Sequence, residues 1–150
     1  MTKYLIASDI HVSSHKNSLQ RLQHCLDALE WIFTTAAHHN IKNVLFLGDL
    51  FQDRQKIQVL PYHKTYEIVQ KHAEQGLNIY MLIGNHDMWY ADRCDISSVF
   101  PFGAIQNVTV VTQPSTLEID GTKFDFLPYT HNPLESMKAF ENTSRVLLGH

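Results

Sequence analysis

The chain has 150 residues, 44% apolar and 18% charged, with a formal net charge of −3. That is one globular domain with one sizeable core, and it excludes both a disordered chain and one that grips nucleic acid by bulk positive charge. The N-terminus "MTKYLIASD" turns polar too soon for a signal peptide, and no apolar run reaches membrane-spanning length. Cys25 and Cys94 lack CxxC spacing, so both read as reduced thiols of a cytoplasmic protein.

In chain order, "KYLIAS" (3–8) is a short apolar run between polar residues, as expected of a buried strand. Leu19, Leu22, Leu26, Leu29 and Phe33 then recur at three- and four-residue steps. They predict a long helix with Asn17 or Ser18 as N-cap and Asn40 near its end. Cys25 falls beside its apolar face. "NVLFLGD" (43–49) is a second strand. Pro61 opens a second helix and Gly76 closes it, and "NIYMLIGN" (78–85) is a third strand. Strand–helix–strand–helix–strand over the first 87 residues is the pattern of a parallel sheet covered by helices.

The second half changes character. "VTVVT" (108–112) is a strand, and residues 115–129 read as a hairpin around Asp120-Gly121. Asn132-Pro133 caps a short helix, and "RVLLGH" (145–150) is a last strand. The chain stops at the end of that strand, which suggests a fragment of a longer protein.

The chemistry gathers at strand ends: "SDIH" (Asp9, His11), "GD" (Asp49), "GNHD" (Asn85, His86, Asp87) and "GH" (His150). Each piece alone has a bland reading; Gly-Asp after a strand is usually a turn. Behind parallel strands, however, these endings converge on one crevice. Carboxylates, imidazoles and an amide, without a thiol, suit Mn²⁺, Fe²⁺ or Zn²⁺. Two metals about 3.5–4 Å apart need a bridging carboxylate, and Asp49 is central in the set. Most of the ten histidines cannot be functional. His24, His38, His39, His63 and His72 fall on predicted helices, and His131 reads as a loop residue.

The order Asp-x-His, Gly-Asp, Gly-Asn-His-Asp, Gly-His resembles the calcineurin-like metallophosphoesterases. The resemblance implies an α/β fold, a two-sheet β-sandwich flanked by helices in four layers (α/β/β/α), here incomplete at the C-terminus. It implies Asp9 and His11 as ligands of a first metal, Asp49 as the bridge, and Asn85 and His150 as ligands of a second. His86 becomes the general acid, with Asp87 orienting its ring. The metals would be two divalent ions, Mn²⁺ above all, with Fe²⁺, Zn²⁺ and Mg²⁺ as alternatives. The family's later Gly-His-x-His, one more ligand to each metal, has no counterpart here.

"GDLF" and the helix that follows it are similar to SbcD-type nuclease subunits of double-strand-break repair, in a compact form like a tailed-phage recombination subunit. This implies DNA phosphodiester hydrolysis, exo- or endonucleolytic, by a hydroxide activated between two metals. It implies an SbcC-type coiled-coil ATPase partner, docked through segments beyond residue 150. The isolated stretch would bind Mn²⁺ weakly, cleave little DNA and offer an unpaired strand edge to a second copy, giving a homodimer. His15, Lys16, Arg54, Lys56 and Arg93 are expected on one rim, touching DNA phosphates. Trp89 and Tyr90 could stack on a base, although packing beneath the loop is the commoner role. The alternatives are a phosphoesterase for small molecules or phosphoproteins and a non-catalytic DNA-binding subunit.

Overall fold

The computed structural model describes residues 2–140 and 146–150. Arg145, expected as the first residue of the last strand, lies outside the described residues. Four parallel strands form the first sheet in sequence order: β1 (Tyr4–Ala7), β2 (Asn43–Phe46), β3 (Asn78–Leu82) and β4 (Val108–Val111). Helices α1 (Leu19–His38) and α2 (Val59–Glu74) are the crossovers. Because the order never reverses, right-handed crossovers put both helices on the same face.

α1 starts at the Ser18 cap, whose hydroxyl accepts the Arg21 N–H. Leu22, Leu26, Leu29, Phe33 and Ala36 are its buried stripe. Leu19, expected on that stripe, is the first residue of the helix and is 69% exposed. α2 begins two residues before Pro61, with Gln58 at its N-cap. Proline is tolerated in a first turn, whose N–H groups lack intrahelical partners anyway. Gly76 follows the helix, and the backbone bonds Gly76 N to Ala73 O and Leu77 N to His72 O close it.

β2 is buried on both faces. Val44 and Phe46 point into the core beneath α1 and α2, while Leu45 points into a second core shared with the other sheet. That second sheet contains β5 (Ser115–Ile119), β6 (Thr122–Leu127) and β7 (Val146–Gly149). β5 and β6 pair antiparallel through Asp120-Gly121, and β7 pairs parallel to β6. Ile119, Phe124, Phe126 and Leu148 meet Leu45, Leu82 and Val111 between the sheets. The two-sheet sandwich with helices is therefore present. Among the described residues three layers are built. α3 (Pro133–Ser136) is one turn long and buries none of its residues. Among those residues no helix is long and apolar enough to cross a membrane.

Candidate metal centre

The segments after β1 and β2 leave the sheet side by side. Asp9 N donates to Gly48 O at 3.0 Å, His11 N to Asp49 O at 3.1 Å and Val12 N to Leu50 O at 2.8 Å. Asp9, His11 and Asp49 hold left-handed backbone, with φ of 60°, 51° and 56°. A non-glycine residue there costs of the order of 1–3 kcal/mol, and such strain collects at functional sites. It also turns these side chains toward one another. His11 Nε2 lies 3.4 Å from Asp9 Oδ1 and 3.6 Å from Asp49 Oδ2.

The segment after β3 closes against them. A Cβ on Gly84 would come within 2.2 Å of Asp49 Oδ1 and 2.4 Å of Asp49 N, so only glycine permits the approach. Asp49 Oδ1 then accepts the His86 backbone N–H at 2.8 Å. Asp49 is 3% exposed and belongs to two donor groups whose atoms lie within 4.8 Å of one another: His11–Asp49–His86 and Asp9–Asp49–His150.

The chemistry of these donors fits cations. His150 Nδ1 lies 2.7 Å from the Leu47 carbonyl, which can only accept, so Nδ1 carries the hydrogen. Its Nε2, which in the neutral ring carries a lone pair, faces Asn85 Oδ1 at 3.0 Å and Asp49 Oδ1 at 3.4 Å. Even with Asp49 Oδ1 accepting the His86 N–H, two oxygens and a ring nitrogen crowd one point, and a proton or a metal ion between them resolves the crowding. His11 Nδ1 is buried and has no hydrogen-bond partner among the described residues. The Ser8 hydroxyl, hydrogen-bonded to Asp9, holds that carboxyl below the usual range against a smaller opposing effect of burial. Two divalent ions with oxygen and nitrogen ligands fit this set.

The grouping differs in detail from the expected one. His150 sits with Asp9 and Asp49 as well as with Asn85, and His86 joins His11. The His11 and His86 rings meet edge to face at 4.9 Å.

Asp87 does not orient His86. Its carboxylate accepts backbone N–H groups from Asp49 (2.8 Å), Leu50 (3.0 Å), Phe51 (3.4 Å) and Gly84 (3.0 Å). It is 1% exposed. Burial raises its carboxyl to about 6 even though those backbone donors pull in the opposite direction. The His86 ring is instead fixed by the Gln52 carbonyl, 2.6 Å from Nδ1. The physical reason is local. A carboxylate adjacent in sequence to the imidazole, with a tight turn between strands at hand, turns inward to the unpaired amides. Gln52 left no trace in the sequence because a backbone carbonyl does not depend on residue type.

The expected basic rim is divided. His15 and Lys16 line a cleft of about 780 Å³ with Arg21, Gln52 and Asp53. Arg54 lines a separate cleft of about 250 Å³ with Tyr62, Trp89 and Ile96. The 52–55 loop separates the two. Lys56 is exposed and lines neither. The Arg93 guanidinium is engaged within its own loop, 3.9 Å above the Tyr90 ring and 2.9 Å from Asp95. Trp89 is 45% exposed rather than packed beneath its loop. Cys25 is half-buried against the core, with its sulfur 3.6 Å from His15 Nε2.

The family model described as "Calcineurin-like phosphoesterase" matches residues 2–148. "Exonuclease subunit 1" of Enterobacteria phage T4 is 24% identical over 110 residues. That alignment covers 69% of this chain and 31% of that protein, so the chain spans about a third of the length of this curated relative. The crystal structure of Pseudomonas putida nuclease MPE aligns with a TM-score of 0.49 at 21% identity, over 82% of this chain and 51% of that one.

Proposed function

Because the chain belongs to the calcineurin-like phosphoesterase family, we propose that it is a metal-dependent phosphodiesterase acting on DNA, the nuclease subunit of a break-repair or recombination complex. One observation carries the proposal: a single buried carboxylate, Asp49, is shared by two groups of metal-ligating atoms from four strand ends. The phage relative's name, an exonuclease subunit, supports both the substrate and the presence of other subunits. The partner would be a coiled-coil ATPase of the SbcC type, and self-association through β7, which pairs only with β6 among the described residues, is a further proposal.

Asp9, His11 and Asp49 would hold one ion, and Asp49, Asn85 and His150 the other. Bound ions, Mn²⁺ first among them, would supply positive charge for the non-bridging phosphoryl oxygens and lower the pKa of water, so that a nucleophile exists at neutral pH. His86 is the proton donor to the departing sugar oxygen. With Nδ1 occupied by the Gln52 carbonyl, only Nε2 can carry that proton outward. Asp87 keeps the Asp49–Phe51 and Gly84 backbones in register and so holds the bridge in place.

The test is a substrate panel. Full-length protein stripped with EDTA and reloaded with Mn²⁺ is assayed on linear duplex DNA, a small phosphodiester and a phosphate monoester. DNA and the small diester should be hydrolysed, and the monoester poorly. Preference for the monoester would favour a small-molecule or phosphoprotein phosphatase. Metal binding with no turnover on any of them would leave a non-catalytic DNA-binding subunit.

A further inference from the structure

The cleft of about 250 Å³ beyond His86 has walls that spring from the two segments framing that ring. One wall begins with Trp89, three residues after His86. The other begins with Arg54, two residues after the Gln52 carbonyl that holds His86 Nδ1. Both walls are held firmly. Trp89 N donates to Ile96 O at 3.0 Å, Met88 pairs with Ser97, and Ser98 N donates to Asp87 O at 2.8 Å. Across the cleft, the Tyr62 ring stacks on buried Phe51 at 5.4 Å and 15°, and its hydroxyl donates to Ser98 O at 3.3 Å.

Such a braced loop could have buried its large apolar groups, yet it presents them. Trp89 is 45% exposed and Ile96 51%. Single exposed apolar residues need no explanation, but a rigid pair flanking a cleft beside a candidate reaction centre does. The lining is mostly apolar and aromatic, with the exposed Arg54 guanidinium among it. This combination fits a flat ring with a π-face joined to an anion. A nucleobase with its phosphate has that chemistry: the base stacks on indole and the phosphate meets the guanidinium. An aliphatic chain or a neutral peptide would leave Arg54 without a counter-charge.

We infer that this cleft is a base-stacking subsite, in which Trp89 holds the nucleobase next to the scissile phosphate. The inference rests on the proposal that a nucleic-acid strand is the substrate. Stacking is tolerant of base identity, so the subsite reads the presence of a base rather than its sequence.

The experiment measures binding without metal. Trp31, 67% exposed on α1, is first replaced in a Trp31→Phe background so that Trp89 is the remaining tryptophan reporter. In EDTA, an eight-nucleotide oligo(dT) should quench Trp89 fluorescence. Affinities are then read by anisotropy of labelled strands for the background protein, Trp89→Ala and Trp89→Phe. Trp89→Ala should weaken oligo(dT) binding roughly 5- to 100-fold, while Trp89→Phe keeps most of it. A fully abasic strand of the same length and charge should bind the background protein and Trp89→Ala alike. If Trp89→Ala weakens both strands equally, or neither, the subsite is wrong. Quenching and discrimination, together with no DNA hydrolysis by the full-length Mn²⁺-loaded protein, would keep the subsite and remove the nuclease assignment, so the two proposals fail separately.

Discussion

The two ends of the parallel sheet carry similar polar residues and treat them in opposite ways. At the amino end, Asn43 opens β2 and is 1% exposed. Its amide donates to Asp120 at 2.6 Å and accepts from Asn78 at 3.0 Å. The Asn78 backbone N–H is taken by the Lys42 carbonyl at 2.8 Å. Donors meet acceptors, and nothing in this network calls for a ligand. At the carboxyl end, oxygens of Asp49 and Asn85 crowd the Nε2 of His150, and Asp9, His11 and Asp49 hold left-handed backbone. A polar cluster signals a binding site through the mismatch of its donors and acceptors, not through its polarity.

The largest test of this contrast is at the shared carboxylate. Asp49→Ala should abolish binding of both ions, read as loss of heat in a calorimetric Mn²⁺ titration. One tightly held ion surviving would remove Asp49 as the bridge. Next, in the full-length protein, His86→Ala should cut turnover by roughly 10²-fold or more with the Mn²⁺ titration nearly unchanged. Loss of metal along with rate would make His86 a ligand, as its grouping with His11 and Asp49 allows.

Asp87→Asn tests the frame. An amide offers one acceptor oxygen where the carboxylate has two, and turns an NH₂ toward backbone donors. Metal-free stability should fall by about 1–3 kcal/mol in denaturant unfolding, with weaker Mn²⁺ binding. An unchanged midpoint would mean that the loops hold without it. Asn43→Ala, at the satisfied end, should cost about 1 kcal/mol and leave the Mn²⁺ titration as it was. A shift in metal affinity would show that the two ends are coupled.

The smallest effect is a control away from both ends. His72 is buried against Phe33, its rings tilted at 5.1 Å, with Nε2 3.1 Å from Glu30. Burial holds its pKa below the ordinary 6.5, which the Glu30 carboxylate only partly offsets. The unfolded chain then binds more protons than the folded one just below that value, so stability falls as pH drops through that window. Glu30, held low by Lys71 and His72 despite burial, contributes acid loss further down. His72→Phe should flatten the dependence around pH 6.5 in thermal melts. An identical pH profile in the variant would show that His72 does not titrate on unfolding.

Most of the architecture was legible because local patterns and tertiary structure agree. The 3–4 spacing from Leu22 to Phe33, the apolar runs ending in Gly-Asp and Gly-Asn, and Asp120-Gly121 each name an element without help from distant residues. The order of Asp9, His11, Asp49, Asn85, His86 and His150 named the candidate centre for the same reason: parallel strands bring their ends together whatever lies between. The errors were of another kind. Leu19 fits the helical period but is exposed, because the period does not say how far along the helix its cover extends. Pro61 marks a first turn but not which of its positions it fills.

What the sequence determined by itself was therefore the set of elements, their parallel order and the residue types at the crevice, since these follow from periodicity and turn chemistry. What only the tertiary structure decided was how those residues use their atoms. Asp87 turns inward because three backbone amides of the Asp49–Phe51 segment reach it there, beside the Gly84 amide of its own turn. A carbonyl at Gln52, indifferent to side-chain identity, holds His86. Trp89 stands open beside Arg54 because its loop is pinned at both ends. Each depends on the distance between groups far apart in the chain, and spacing along the chain does not encode that distance.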